Sequence, residues 1–515
     1  MEAFLLFGGQ VWGHPGSDAV VVAEGRVVGI GCREDLAGFV ATQRDVGGGA
    51  ILPGFIDGHT HLVESGLAEI GWRLDVAGCG REEALARMAA AGRLRAKGEW
   101  LFATGWDESR WIPAARLRRS ELDRAVPGIP AVAVRVDGHL AVANSEALNL
   151  AQDVAKGAPQ LVDVELGEIR EAAVDAVLSL VCPDEATIRE ALRAAARSCH
   201  RLGITTAHIM TGSVNPYVVL DAAPGLRLRV VVHPPVERLE GLVRDGVRSG
   251  QGNAWGRWGG VKLFADGSIG ARNAAVSLPY ESGGLGALNY TTAWLAERIA
   301  AAEGSGWQTI THAIGDRAIG QVLDAHRRAG SDRGFRHRVE HYEFPTVDQI
   351  QDTVRLGLAV CMQPNFVGNW SGAGGLYETV LGGERDAACN PFSAVIAAGI
   401  PLGFGSDGMP LSPLYGIASV VRAPYEGQRI PLEDAIRGYT EGSAFLSAGE
   451  PAQGRLTPGG SADLLVLDGP LTHESVSRRT VVAAYVGGER VHGHDPTQSG
   501  QRSTMMSQHV GRAGQ

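Results

Sequence analysis

Residues 51–62 read ILPGFIDGHTHL, an apolar run that ends in an aspartate, a glycine and two histidines separated by one residue. Successive side chains of an extended chain point to opposite faces, so His59 and His61 share one face. Two imidazoles on one face can bind the same metal ion. The stretch can also be an ordinary polar turn, so the rest of the chain has to decide between a turn and a metal site.

Seven more apolar, strand-like segments occur in the chain, each followed by a helix-like pattern. They are residues 204–210, 228–235, 259–267, 308–316, 336–344, 358–366 and 401–410. Alternating strand and helix patterns predict a parallel sheet. Eight such units over roughly 350 residues predict a (β/α)8 TIM-like barrel with insertions. Its expected extent is residues 51–72 plus 185–451.

The regions outside the predicted barrel have different sequence patterns. Residues 1–50 and 452–493 are rich in short strands and turns, including the hairpin pattern AEGRVVGIG, and are predicted to form one small β-sandwich. Residues 73–184 exceed what one crossover helix needs, which predicts an inserted α/β subdomain over the active site. Residues 494–515 are polar and rich in small side chains, and we expect a disordered tail.

Composition describes an ordinary globular chain: 515 residues, 44% hydrophobic, with a net charge of −10. The negative charge argues against nucleic acid or anionic membranes as partners. The six cysteines include no CxxC pair, which argues against a disulfide framework or a zinc ribbon. The chain has no apolar stretch of membrane-spanning length and no basic segment typical of a signal peptide, so we expect a cytoplasmic protein.

Polar residues close several of the predicted strands. Each alone has an ordinary explanation, such as a salt bridge for a lysine or a turn for an aspartate. Together, six groups that can bind or support a metal lie at the ends of five predicted strands, the face where barrel active sites assemble. These candidate metal ligands are His59, His61, Lys262, His312, His341 and Asp407. The coincidence favours a metal-dependent active site over six unrelated structural residues.

The set resembles the amidohydrolase superfamily. The matching motifs are PGFIDGHTHL, the strand-four lysine Lys262, THAIGD, RVEHYEF, GSDGMP and PGGSADLLVLDG. GWDESRW, RVDGHLAVANSEAL and VKLFADGSIGARNAAVSLPY further resemble amidohydrolase family 3, the YtcJ-like branch that includes N-substituted formamide deformylases. The resemblance covers residues 1–493.

The resemblance implies a divalent-metal centre, with zinc as the first choice and Mn²⁺ or Fe²⁺ as alternatives. His59 and His61 would bind one ion. Lys262, carbamylated by CO2, would bridge to a second ion held by His312 and His341, with Asp407 as a further ligand. An unmodified Lys262 would leave a mononuclear centre, so one-metal and two-metal sites both stay open.

The implied reaction is hydrolysis of a C–N bond in a small molecule, of amide, N-substituted formamide or N-acyl type. Metal-bound hydroxide would attack the carbonyl, with Asp407 as general base and then general acid. His139, in VDGH, resembles a family position that faces the metals, and is a candidate for both catalysis and substrate binding. Asp57 is expected to support the end of its strand rather than bind metal.

Further residues are candidates for substrate binding. Asp266 and Arg272 follow Lys262 on the loop above the barrel, where Arg272 could hold a substrate carboxylate or carbonyl, or form an ordinary salt bridge. Trp106 and Asp107, with Trp111, are predicted at the entrance, although an aromatic there can equally be packing. A homodimer is an open alternative for the oligomeric state.

Two other functions compete with amide hydrolysis. Deamination of a cyclic amidine at a mononuclear centre uses, in relatives, a glutamate three residues after the strand-five histidine. Here that position is Gly315, although Asp316 is adjacent. A non-catalytic metal-binding scaffold is the second alternative, but it has no need of a proton-transferring Asp407. A phosphate-binding barrel is disfavoured because no GxxxxGK[ST] motif occurs.

Overall fold

Parallel strands alternating with helices form the middle of the chain. The computed structural model describes residues 3–38, 40–96, 98–108, 111–135, 140–170, 172–178, 180–181, 183–447 and 453–493. The chain divides into two units, one made of Met1–Leu62 with Ala196–Gln515 and the other of Val63–Ala195. The predicted tail, residues 494–515, and His139 lie outside the described residues.

Each of the eight segments predicted as a barrel strand contains a parallel strand of the first unit. One four-stranded sheet has the order Gly256–Trp258, Arg229–His233, Ile204–Met210, Phe55–Thr60. A five-stranded sheet has the order Val261–Phe264, Thr309–Ala313, Arg338–His341, Ala359–Met362, Leu402–Phe404. Backbone hydrogen bonds of 2.8 Å also join the sheets, from Lys262 N to Pro234 O and from Asp407 N to His59 O. The short strand Gly256–Trp258 was not among the predicted segments.

The first predicted strand, residues 51–62, is two strands. Ala50–Pro53 pairs antiparallel with Leu464–Leu467, whereas Phe55–Thr60 pairs parallel with Ile204–Met210. Gly54 lies between them, and a Cβ there would be 2.3 Å from Thr205 Oγ1. Only glycine permits this close approach, so the chain passes from one sheet to the next without a loop. The sandwich therefore reaches beyond its predicted limit at residue 50.

Helices connect the strands of the first unit. The helix Val347–Leu356 illustrates how their ends are specified: Thr346 and Gln349 form a capping box, and Gly357 ends the helix at φ 68°.

No helix in the described part of the chain combines the length and the apolar character of a membrane span. The helices after the strands are Pro216–Leu226, Leu239–Arg244, Thr292–Gly304, Asp316–Ala329, Val347–Leu356, Pro364–Trp370, Leu376–Leu381, Gly383–Ala388, Phe392–Ala397, Pro413–Val421, Leu432–Arg437 and Ser443–Phe445.

Both chain ends contribute to a pair of β-sheets that share one hydrophobic cluster. One sheet has the order Arg26–Gly31, Ala19–Ala23, Phe4–Phe7, Thr42–Asp45. The other has the order Gln10–Val11, Ala50–Pro53, Leu464–Leu467, Val481–Val486, Glu489–His492. Phe4 of the first sheet stacks on Tyr485 of the second, with ring centroids 5.3 Å apart, and both belong to the shared core. The hairpin turn falls at Glu24 and Gly25, both with positive φ, as its sequence pattern predicts.

The second unit is an α/β structure around one mixed sheet. Its strands have the order Val162–Asp163, Glu168–Arg170, Leu140–Ala143, Ala131–Arg135, Leu101–Trp106, Arg73–Asp75. Its helices include Arg81–Gly92, Arg119–Ala125, Ser145–Leu150, Gln152–Gly157 and Ala172–Leu178.

The second unit is wider than the predicted insertion, residues 73–184, and takes residues 63–72 and 185–195 from the predicted barrel. The reason is the packing of Leu62–Glu69 against Glu185–Arg201, where a Cβ on Gly66 would lie 2.1 Å from Ala191 O. These two helices therefore belong together.

Candidate metal centre

Three side chains with metal-binding atoms meet where the first and last parallel strands end. His59 is in the strand Phe55–Thr60, His61 follows it, and Asp407 follows Leu402–Phe404. One ligand atom from each lies within 4.8 Å of the others. Asp407 Oδ1 is 3.2 Å from His61 Nε2 and 3.6 Å from His59 Nε2. Of the predicted ligands, these three form a single group.

The backbone around Gly405 explains why the two strand ends approach so closely. A Cβ at Gly405 would lie 2.4 Å from the backbone nitrogen of His59, so a larger residue would push the segments apart. Asp407 has a φ of 53°, which turns the chain back towards His59, and its backbone N–H donates to His59 O at 2.8 Å. The position of the carboxylate is therefore tied to the position of the imidazole.

Asp57 links the strand that carries His59 to the loop that carries Asp407. It accepts hydrogen bonds from Ser406 Oγ at 2.5 Å and from Ser406 N at 2.9 Å. Burial raises the pKa of Asp57 to about 7, and the hydrogen bonds from Ser406 act against this rise. Asp57 thus fastens the loop that carries Asp407 to the strand that carries His59, which agrees with its expected supporting role.

The donor set fits a divalent metal. Burial lowers the pKa of His59 well below its ordinary value, so the imidazole is neutral, as a metal ligand must be. Asp407 Oδ1 is buried and has no hydrogen-bond partner of good geometry among the described residues. Two imidazoles and a carboxylate are ligands that zinc, manganese and iron accept. A metal ion would satisfy this oxygen, which His61 and His59 approach only to 3.2 Å and 3.6 Å.

Lys262 lies beside this group. Its Nζ is 3.5 Å from His59 Nε2, and the residue is only 3% exposed. Burial lowers the pKa of Lys262 to about 8, against the opposing influence of Glu340 and Asp407. A substantial fraction of the amine is therefore neutral near pH 8.

His312 and His341 lie next to the first group but outside its three-ligand set. The ring centroid of His341 is 4.9 Å from that of His59 and 4.5 Å from that of His312. His341 Nδ1 is 2.8 Å from Gln363 Oε1, and His312 Nε2 is 3.0 Å from Gly267 O. These bonds leave His341 Nε2 and His312 Nδ1 as the nitrogens that could bind metal. Burial lowers the pKa of His312 to about 4.

The two loop residues predicted to bind substrate differ in their surroundings. Asp266 is 2% exposed and accepts three backbone N–H groups, from Ala275, Ile314 and Gly315. Burial raises its pKa to about 6 despite these bonds. Asp266 therefore shapes the loops around His312. Arg272 is exposed at a φ of 57°.

The predicted entrance residues belong to the second unit. Trp106 is completely buried, donates from Nε1 to Ala133 O at 2.9 Å, and stacks on Trp111 with centroids 5.9 Å apart. Asp107 lies 3.6 Å from Arg135. The burial of Trp106 favours packing over substrate contact.

We predict that Trp106→Ala lowers the free energy of unfolding by about 3–5 kcal/mol, because a large buried ring leaves a cavity. Denaturant titration followed by far-UV circular dichroism measures this change. Leu94→Ala, at a side chain that is 86% exposed in the same unit, is the control and should cost less than about 0.5 kcal/mol. Equal effects of the two substitutions would contradict the packing role.

Sequence reasoning missed Glu340 and Arg338. Glu340 Oε2 is 2.5 Å from His59 Nδ1, and Arg338 binds Glu340 through Nε at 2.7 Å and Nη2 at 2.8 Å. Burial raises the pKa of Glu340, but Arg338 outweighs burial and holds the pKa below its ordinary value. Two charged residues at alternate positions of a strand, in RVEH, were the available sign of this pair.

The geometry at Gly315 bears on the deaminase alternative. A Cβ at Gly315 would lie 2.0 Å from Ala275 O, so the backbone leaves no room for a glutamate. The neighbouring Asp316 accepts the backbone N–H of Ser277 at 2.8 Å. Gly315 therefore cannot be replaced by the glutamate of the deaminase alternative, and one oxygen of Asp316 is held by the loop backbone.

Known proteins resemble the chain over most of its length. Residues 44–492 match the family described as Amidohydrolase family. YtcJ of Bacillus subtilis is 29% identical over 88% of this chain and 91% of its own length. The N-substituted formamide deformylase of Arthrobacter pascens is 24% identical over 88% of this chain and 90% of its own.

A solved structure gives the same result. An uncharacterized metal-dependent hydrolase from Pyrococcus furiosus superposes with a TM-score of 0.78 at 25% identity, covering 91% of this chain and 99% of that one. With the family match over residues 44–492, the similarity extends over both the fold and the strands that carry the ligand group. The chain belongs to the amidohydrolase family, and it is a metal-dependent hydrolase with a TIM-barrel-like α/β fold.

Proposed function

We propose that the protein hydrolyses a C–N bond of a small molecule, in an amide, an N-substituted formamide or an N-acyl compound. The observation that carries the proposal is the group formed by His59, His61 and Asp407, with ligand atoms within 4.8 Å and a buried Asp407 oxygen that lacks a hydrogen bond of good geometry among the described residues. Similarity to an N-substituted formamide deformylase supports the C–N bond as the target.

The proposal includes a closed (β/α)8 barrel that carries this group at the carboxyl ends of its strands. The hydrogen bonds from Lys262 N to Pro234 O and from Asp407 N to His59 O support closure, because they connect the two parallel sheets at separate places. The carboxyl ends of barrel strands are where such enzymes assemble their active sites.

A bound divalent ion, which we propose to be zinc, would lower the pKa of a water molecule and polarise the substrate carbonyl. The protein's own part begins with Asp407. Burial raises its pKa, but His61, His59 and Lys262 outweigh burial and hold the pKa below its ordinary value. The carboxylate is therefore ionised at neutral pH and can accept a proton from the attacking water. It can then return that proton to the leaving nitrogen.

We also propose that Lys262 is carbamylated and helps His312 and His341 to hold a second ion. The lowered pKa of Lys262 supports this, because only the neutral amine attacks CO2. The carbamate would replace a cation with an anion beside the three imidazoles His59, His312 and His341. Mutual repulsion around the ions would fall as a result.

Carbamylation is testable by carbon-13 NMR. Protein loaded with metal in ¹³C-bicarbonate should show one carbamate resonance that is absent from Lys262→Met, a substitution that keeps the length of the side chain without its amine. Spectra identical for the two proteins would contradict carbamylation and leave a mononuclear centre. Lys156→Met, at an exposed lysine of the second unit, is the control and should retain the resonance.

The reaction itself is tested with zinc- or manganese-loaded enzyme and three substrate panels: N-formyl amines, N-acyl amino acids and cyclic amides. Release of formate, a free carboxylate or a ring-opened acid is the expected result, in at least one panel. Ammonia release from cyclic amidines, with no hydrolysis in the three panels, would contradict the proposal in favour of deamination.

A further inference from the structure

His59 is held from behind by a pair of buried charged residues. The Glu340 carboxylate lies 2.5 Å from His59 Nδ1, and neither side chain is exposed to solvent. Glu340 belongs to the strand Arg338–His341, which is in a different sheet from the strand Phe55–Thr60 that carries His59. The contact therefore crosses from one parallel sheet to the other.

Arg338 fixes the position of Glu340. Its guanidinium donates two hydrogen bonds to the carboxylate, at 2.7 Å and 2.8 Å. Nη2 also donates to Gly58 O at 2.9 Å, one residue before His59, and Nη1 lies 3.1 Å from His208 Nδ1. The guanidinium is thereby held by three residues at once. Because an unpaired buried carboxylate is costly, Arg338 is also what allows Glu340 to remain charged there.

This arrangement selects the nitrogen of His59 that faces the metal centre. A carboxylate at Nδ1 keeps the proton on that nitrogen and leaves the lone pair on Nε2. His59 Nε2 is the atom that lies 3.6 Å from Asp407 Oδ1 and 3.5 Å from Lys262 Nζ. The nitrogen left free is therefore the one directed towards the other ligands.

We propose that Arg338 and Glu340 are positioning residues that fix the ring orientation and the tautomer of His59 for metal binding. They act through His59 and do not touch the metal or the substrate. The inference rests on the proposed role of His59 as a metal ligand. It assigns a function to two residues in RVEH that precede the candidate ligand His341.

The test is the affinity of metal-free protein for Co²⁺, measured by titration and followed by the visible absorption of the bound ion. Glu340→Gln keeps the shape of the side chain but loses its charge, and should weaken Co²⁺ binding by about 10–100-fold. Its absorption spectrum should also change, because the ligand field of His59 changes. A residue that only stabilised the fold would leave the spectrum of the bound ion unaltered.

Glu343→Gln is the matched control. Glu343 is also a buried glutamate, 1% exposed, and accepts from Tyr377 Oη at 2.6 Å and from Asn390 Nδ2 at 3.1 Å instead of contacting His59. Its substitution should leave Co²⁺ affinity within about twofold of wild type, since changes at sites without shared partners do not couple. In a His59→Ala background, Glu340→Gln should weaken Co²⁺ binding by less than about a further twofold, because Glu340 is proposed to act through His59.

Glu340→Asp carries the same test if Glu340→Gln does not fold. The shorter acid keeps a negative charge beside Arg338 but withdraws it from His59, and it should also weaken Co²⁺ binding. Wild-type affinity and an unchanged spectrum in whichever variant folds would overturn the inference. Failure of the wild-type protein itself to bind Co²⁺ would instead overturn the proposed metal centre, so the two failures are distinguishable.

Discussion

Asp407→Asn should lower kcat by about 10²–10⁴-fold, the range that a general acid–base contributes, while metal stays bound. The amide keeps one oxygen that can face the metal but cannot accept a proton from water. Asp407 is also tied to His59 through its backbone N–H, which the substitution leaves intact. Steady-state kinetics and elemental analysis of the same preparation measure both quantities.

Asp386→Asn is the control for this substitution. Asp386 lies in the helix Gly383–Ala388 of the same unit and is fully buried. Its carboxylate accepts the backbone N–H of Gly372 at 2.8 Å. Its loss should cost stability without changing the chemistry. Unchanged kcat in Asp407→Asn, with metal bound, would refute proton transfer by Asp407.

His59→Ala should abolish turnover and strip the protein of tightly bound metal. The substitution removes the proposed ligand whose Nε2 lies 3.6 Å from Asp407 Oδ1 and 3.5 Å from Lys262 Nζ, and it leaves the charge of Glu340 without its imidazole partner. A buried carboxylate that loses a partner also destabilises the fold. Metal content after gel filtration, together with kcat, measures the effect.

His326→Ala is the matched control for His59→Ala. His326 is an equally buried histidine in the helix Asp316–Ala329, where its Nδ1 lies 2.8 Å from Ser331 Oγ. This variant should retain metal, even if its melting temperature falls. Full metal content and activity in His59→Ala would contradict the assignment of His59 as a ligand.

Local patterns predicted the strands, and three of the six candidate ligands that the structure brings together, for a simple physical reason. A strand buried on both faces is apolar along its length, so a polar residue at its end is conspicuous, as His59 and Asp407 are. Because the carboxyl ends of parallel strands face the same way, residues far apart in the chain can be expected to meet. His59 and Asp407 are 348 positions apart, and their ligand atoms are 3.6 Å apart.

Other features depend on pairing that a local pattern does not contain. The break at Gly54 follows from the pairing of Ala50–Pro53 with Leu464–Leu467, more than 400 residues later. Glu340 and His341 are adjacent, so alternation places them on opposite faces of a strand, yet both lie beside His59. His341 has a φ of 70°, outside the extended region, and alternation no longer holds there.

The burial of Trp106 likewise depends on contacts that a local sequence pattern does not contain. The motif GWDESRW made Trp106 a candidate for the substrate entrance or for packing. The contacts of its indole with Ala133 O and Trp111 favour packing. The width of the second unit likewise depends on one helix contact, between Gly66 and Ala191. Neither residue carries a pattern that distinguishes a close helix pair from two separate helices.

Elemental analysis of the purified wild-type protein tests the central claim most directly. The protein is grown with zinc and manganese, dialysed without chelator, and its metal content is divided by chain concentration. We expect one or two divalent ions per chain, bound by the group of His59, His61 and Asp407. Metal at the background level, with activity that persists after chelation, would contradict a metal-dependent active site at these residues.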